Sequence, residues 1–286
     1  MAGSQPVSSY LPRVLTGLAG AAALLTLAWN PAWHRGFALI VFAAFLLALS
    51  EFYDLARKLG FEPDKVAGLI LAGLLLLNSL SLWKIGIPAM PWAAGIFTLV
   101  VLARPVLSGE TYLGFSRLAA TFLGVSYVAG LGGYLGSYLL VVENRWTFGN
   151  GLANNLVPLL LLTWVFDSAS MLSGCTWGKT KLSPASPNKT WEGVAGGASA
   201  IILVSVLLPY LGFWAEMGWL SRLGAALVVA PAALIGDLVE SALKREAGVK
   251  DSANLAYLPG HGGYLDKVDA LLFTAPVLWF YLQWVS

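Results

Sequence analysis

Apolar runs of similar length, each closed by charges, Gly or Pro, set the pattern of this chain. Hydrocarbon about 30 Å thick takes roughly 20 apolar residues per helix. Nine runs approach that length: Tyr10 to Trp29, Gly36 to Tyr53, Val66 to Trp83, Pro88 to Ala103, Leu118 to Val141, Ala153 to Leu172, Trp191 to Leu211, Leu220 to Leu243 and Tyr264 to Trp284. The pattern predicts an all-α integral membrane protein of about nine transmembrane helices, the fourth short enough to be tilted or partly buried. Arg13 opens the first run, and Asn30-Pro31-Ala32-Trp33 follows it without a small-residue cleavage site. That run reads as a retained helix rather than a signal peptide.

Alternate loops differ sharply in charge. One side carries Arg13, Arg57, Lys58, Lys65, Arg104, Arg117, Lys179, Lys181, Lys189, Lys244, Arg245, Lys250 and Lys267, against Arg35, Lys84, Arg145 and Arg222 on the other. Cytoplasmic loops hold the excess of Lys and Arg. The amino terminus and the polar loops Ser173 to Thr190 and Lys244 to Gly263 are therefore expected in the cytoplasm, and the carboxyl terminus on the far side. Polar residues gather toward the carboxyl-terminal end. Residues 1–115 are accordingly expected to be transmembrane scaffold and lipid contact, and 116–286 the transmembrane region that carries the chemistry.

Composition narrows the function classes. The 286 residues are 58% hydrophobic and 11% charged, against roughly 25% charged in a soluble domain, which excludes a soluble globular protein. A formal charge of +2 supplies no broad basic face, so nucleic acid is not an expected partner. Twelve Trp and ten Tyr suit rings anchored at membrane interfaces. The single cysteine, Cys175, makes neither an intramolecular disulfide nor a metal-binding knuckle. Any metal must be held by oxygen ligands or by His34 and His261.

Carboxylates near the end of the chain are the strongest chemical signal. Asp237, Glu240, Ser241 and Lys244 fall at i, i+3, i+4 and i+7, on one helical face. An ionisable group within a membrane helix costs about 3 kcal/mol on insertion scales and persists where it faces protein, water or a counter-ion. Glu240 has a local partner in Lys244, whereas Asp237 lies deeper with no equally placed basic neighbour. Asp266 and Asp269 open the ninth run. One Asp there is explained by the helix dipole, and two are not. If the eighth and ninth helices pack antiparallel, Asp237 can face Asp266. An oxygen-only cluster of this type suits Mg²⁺, which takes one or two carboxylates plus phosphates and waters. Lys244, Arg245 and Lys250 approach the turn Pro259-Gly260-His261-Gly262-Gly263, whose backbone N–H groups and helix end favour an anion. Together these read as a metal-assisted phosphate site, in which His261 either contacts phosphate, orients a ligand or bonds within its loop.

The other cytoplasmic loop follows Asp167, a further carboxylate in a membrane run. It brings Lys179, Lys181, Ser186, Lys189 and Thr190 together with fixed prolines. Such a loop can hold a nucleotide triphosphate, or it can be a positive-inside loop that only sets topology. Gly193, Gly196 and Gly197 permit close helix packing. Arg13, Glu51 and Arg117 stand at helix ends, where interface anchoring accounts for them.

These residues resemble the phosphatidate cytidylyltransferase, or CDP-diacylglycerol synthase, family. Its signature of Ser, Lys-Arg, Lys-Asp, His-Gly-Gly and Asp-Arg-x-Asp is similar to Ser241, Lys244-Arg245, Lys250-Asp251, His261-Gly262-Gly263 and Asp266-Lys267-Val268-Asp269. The family's Ser-Pro-Lys-Lys-Thr-x-Glu-Gly stretch resembles Ser186-Pro187-Asn188-Lys189-Thr190-Trp191-Glu192-Gly193. Roughly the last 125 residues carry the resemblance, and the amino-terminal helices share only hydropathy. Lys267 stands in place of Arg, Asn188 in place of Lys, and the stretch from Asp251 to His261 is about two residues longer than the pattern.

The resemblance implies transfer of CMP from CTP to phosphatidate, giving CDP-diacylglycerol and pyrophosphate in phospholipid biosynthesis. It implies Mg²⁺, with a second cation left open, bound by Asp237 and Asp266 with Glu240 and Asp269 beside them. It assigns catalytic work to Asp237, Lys244, Arg245, Lys250, Asp251, His261, Asp266 and Lys267. Nucleotide contact falls to Lys179, Lys181, Ser186, Lys189, Thr190, Gly262 and Gly263. The expected setting is a bacterial cytoplasmic (inner) membrane with the active site facing the cytoplasm, a homodimer being left open. Two rivals stand beside this reading: a CTP-dependent polyprenol or phytol kinase and a cation-coupled transporter. Release of pyrophosphate, of CDP or of nothing from CTP separates the three.

Overall fold

The computed structural model describes residues 23–27, 33–79, 103, 114–140, 153–249 and 262–285. The named helices in chain order are α1 (His34–Lys58), α2 (Lys65–Ser79), α3 (Phe115–Gly124), α4 (Tyr134–Leu140), α5 (Ala153–Trp177), α6 (Trp191–Leu207), α7 (Trp219–Glu246) and α8 (Leu265–Val285). Between α3 and α4 the segment Val125–Gly130 is a π-helix, and a 3₁₀ turn over Leu208–Leu211 ends α6. Among the described residues no strand forms beyond one antiparallel bridge between Lys181 and Thr190.

Among the described residues six stretches are long and apolar enough to cross a membrane: Arg35–Lys58, Phe115–Tyr138, Asn155–Trp177, Trp191–Leu211, Trp219–Glu246 and Leu265–Val285. The third expected run is the shorter apolar helix Lys65–Ser79 among the described residues. The first and fourth expected runs lie outside the described residues, apart from 23–27 and 103, as do Lys250, Asp251 and His261. The described residues thus form the helical framework of a membrane protein.

Lipid is as apolar as Leu, so helices associate in it through close packing and interhelical hydrogen bonds. Both are present. The α6 glycines lie against α5, where a Cβ on Gly193 would come within 2.7 Å of the Ser170 carbonyl and one on Gly197 within 2.9 Å of the Phe166 carbonyl. Tyr138 donates to the Ala275 carbonyl at 2.7 Å, Tyr53 to that of Thr121 at 2.9 Å, and the Thr163 and Thr274 hydroxyls meet at 3.0 Å. Phe37, Phe45, Leu49, Leu76, Leu160 and Leu278 fill the interior, while Leu203, Val206, Phe280 and Trp284 face outward.

Candidate active site

The acidic residues are brought together by the closest approach of α7 to α8. A Cβ on Gly236 would stand 2.5 Å from the Asp269 carbonyl oxygen, so only glycine lets the two backbones touch here. The neighbours of that contact are the functional side chains. Asp237, Glu240 and Asp269 offer carboxylate oxygens that all lie within 4.8 Å of one another. Glu240 is 1% exposed and Asp269 8%. Asp167 on α5 lies within electrostatic range of Asp237, Asp269 and Lys189, placing a third helix around the cluster.

Three carboxyl groups packed this closely need counter-charges or protons. On the loop side, Lys189 forms an ion pair with Asp237. On the helix side, the Lys244 ammonium lies 2.6 Å from Glu240 and 2.6 Å from Asp266. Glu240 thus does pair with the lysine one turn on, but through Oε2 only; its Oε1 is buried with no hydrogen-bond partner. The Asp237 hydroxyl neighbour is Ser241, which donates at 3.3 Å. Asp237 therefore shares the carboxylate group with Asp269 rather than Asp266, which is engaged by Lys244 and by the Gly263 N–H at 2.6 Å.

The start of α8 is tied from two directions. Gly262 has φ +66, a left-handed conformation that glycine adopts without penalty, and the turn folds Asp266 back onto Gly263. The next two N–H groups, of Tyr264 and Leu265, donate to Glu51 on α1 at 3.0 and 2.9 Å. Interface anchoring was the expectation for Glu51; its carboxylate instead caps a helix 213 residues away. The anion-binding amides expected at this turn are occupied, from Gly263 to Leu265, by the protein's own carboxylates.

The lysine loop is similarly built. Trp191 donates to the Thr180 carbonyl and Leu182 to that of Lys189, each at 3.0 Å. Glu192 accepts from the Lys179 and Thr180 backbone N–H groups at 3.1 Å and from the Thr180 hydroxyl at 2.9 Å. Thr190 caps α6 by accepting the Gly193 N–H at 3.1 Å, and the Ser186 carbonyl accepts the Lys189 N–H at 3.1 Å. Of the loop lysines, Lys189 points to the acidic cluster, while Lys179 and Lys181 are exposed. Arg245 is exposed at the end of α7, and exposed Lys267 lies over the Tyr264 ring at 5.0 Å. Glu51, Gly236 and Glu192 are the contributors that spacing along the chain did not single out.

Comparison with known proteins covers most of the chain. Residues 11–285 match the model of the cytidylyltransferase family. The chain is 29% identical to a phosphatidate cytidylyltransferase of Synechocystis sp., covering 94% of this chain and 95% of that protein. It is 33% identical to the phosphatidate cytidylyltransferase of Bacillus subtilis, with coverage of 96% and 98%, and 34% identical to that of Staphylococcus aureus, with coverage of 85% and 89%. A match of this extent, over helices that gather carboxylates and lysines at one point, places the chain in the cytidylyltransferase family as a nucleotidyltransferase enzyme.

Proposed function

We propose that this enzyme transfers CMP from CTP to phosphatidate, forming CDP-diacylglycerol and pyrophosphate at the cytoplasmic face of a bacterial inner membrane. The observation that carries the reading is the meeting of Lys189 with Asp237 beside Glu240 and Asp269, in a chain whose relatives are named phosphatidate cytidylyltransferases. The positive-inside count supports the cytoplasmic placement. We propose the same division of labour as the sequence pattern, residues 1–115 serving mainly as scaffold and 116–286 carrying the chemistry.

The donor set fits Mg²⁺. All three groups are carboxylates, and the partnerless Oε1 of Glu240 supplies a buried acceptor that a cation satisfies. Oxygens across an octahedral Mg²⁺ lie about 4.2 Å apart, so a cluster spanning 4.8 Å needs only a small closure or bridging waters. Asp237, Glu240 and Asp269 would hold the ion, with Asp266 adjacent through Lys244. When bound, it would neutralise phosphate charge and orient the reacting oxygens.

A phosphatidate oxygen attacks the α-phosphorus of CTP, the new P–O bond forms in line with the bond that breaks, and pyrophosphate leaves with that electron pair. The lipid phosphate is already ionised near neutral pH, so positioning and electrostatics suffice without a strong general base. Lys189 exchanges its partner from Asp237 to the triphosphate as nucleotide enters. Lys179 and Lys181 add exposed positive charge along the same loop, and exposed Arg245 and Lys267 add it at the end of α7 and the start of α8. Lys244 stays with Glu240 and Asp266, keeping both carboxylates in place. Purified protein with CTP, Mg²⁺ and phosphatidate should release pyrophosphate only when the lipid is present. Release of CDP would support a lipid kinase instead, and no nucleotide turnover would favour a transporter.

A further inference from the structure

We infer that Glu51 is a positioning residue of the active site: it clamps the first turn of α8 and so sets where Asp266 and Asp269 stand against Asp237 and Glu240. The inference rests on the reading that Asp237, Glu240 and Asp269 hold a divalent cation. A carboxylate in the apolar span Arg35–Lys58 costs free energy unless protein groups receive it. Glu51 meets that cost with two bonds, Oε1 from the Tyr264 N–H at 3.0 Å and Oε2 from the Leu265 N–H at 2.9 Å.

Two oxygens on successive N–H groups restrain both the position and the rotation of a helix end, whereas one bond leaves a pivot. The restraint matters because Asp266 follows immediately and Asp269 lies one turn further along α8. Side chains sit roughly 6 Å from a helix axis, so a rotation of about 10° carries a carboxylate about 1 Å. Displacements of that size cost about a hundredfold in rate when the chemistry depends on placement. The support itself is fixed: Phe52, the next residue, packs against the Tyr127 ring with centroids 5.7 Å apart, and Tyr53 bonds to Thr121. A helix of the amino-terminal scaffold thereby governs the geometry of the carboxyl-terminal carboxylates.

The test compares wild type, E51Q and E51D in detergent. Gln offers one acceptor oxygen and a donating amide, so one of the two N–H groups loses its partner; Asp keeps two carboxylate oxygens on a shorter arm. Hydrogen exchange over 263–266 should be at least tenfold faster in E51Q. The variant should need at least fivefold more Mg²⁺ for half-maximal turnover and show a smaller Mg²⁺-induced rise in unfolding temperature. Its kcat should fall ten- to a hundredfold, with KM for CTP within threefold of wild type, and E51D should lie between. Faster exchange and a lower unfolding temperature with wild-type kcat and Mg²⁺ requirement would overturn the inference, leaving Glu51 a structural cap. If E51Q does not fold, E51D decides on the same criteria. A wild-type protein that Mg²⁺ neither stabilises nor activates overturns the cation reading itself, while its exchange pattern still reports the clamp.

Discussion

Replacing Lys244 by Met probes the electrostatics of the site most sharply. Met preserves the length and apolar stem of Lys and removes only the ammonium, which lies 2.6 Å from both Glu240 and Asp266. Both oxygens touch one atom, so they are within about 5 Å of each other; at an effective dielectric of about 20, two unit charges at that distance repel by about 3 kcal/mol. Breaking a buried pair by removing one partner costs about 3–5 kcal/mol. Glu240 is 1% exposed, but Lys244 and Asp266 are 15% and 16% exposed, which favours the lower end. The K244M protein should therefore lose about 3 kcal/mol in EDTA, measured by reversible unfolding in mixed micelles. At saturating Mg²⁺ at least half of that loss should return, because the cation replaces the missing charge. A difference under about 0.5 kcal/mol in EDTA would refute the reasoning, since Lys244 would then not be neutralising two close carboxylates.

Asp237→Asn and Asp269→Asn should each lower turnover more than tenfold at saturating Mg²⁺, about 1.4 kcal/mol of barrier, with the helical circular dichroism unchanged. Lys189→Ala should raise KM for CTP more than KM for phosphatidate, because its positive charge acts on the nucleotide; steady-state titration of each substrate checks it. Tyr127 has a buried hydroxyl with no hydrogen-bond partner, so Tyr127→Phe should hold unfolding free energy within about 1 kcal/mol of wild type or raise it.

Hydropathy located the helices because a bilayer imposes one length on every span, and the runs beginning at Gly36, Leu118, Ala153, Trp191, Leu220 and Tyr264 correspond to candidate spans. Helical periodicity likewise put Asp237, Glu240 and Lys244 on one face. It could not supply the partner of Asp237, because Lys189 reaches it from another loop and lies 48 positions earlier in the chain. Nor does periodicity set the register of α7 against α8. That register depends on Gly236 meeting the Asp269 carbonyl, which decides that Asp269 rather than Asp266 joins Asp237. Glu51 was legible as a charge at a helix end and illegible as a cap, since its two donors are brought beside it only by the packing of α1 on α8.

The central claim is that the lipid phosphate attacks the α-phosphorus of CTP, and the position of a label tests it directly. Purified protein in detergent with phosphatidate and Mg²⁺ should move label from the α-phosphate of CTP into the lipid fraction and release label from the γ-phosphate as pyrophosphate, because attack at the α-phosphorus expels the outer two phosphates together. Appearance of the γ-label in lipid, with CDP left in water, would contradict the account and identify a kinase reaction at the same carboxylates.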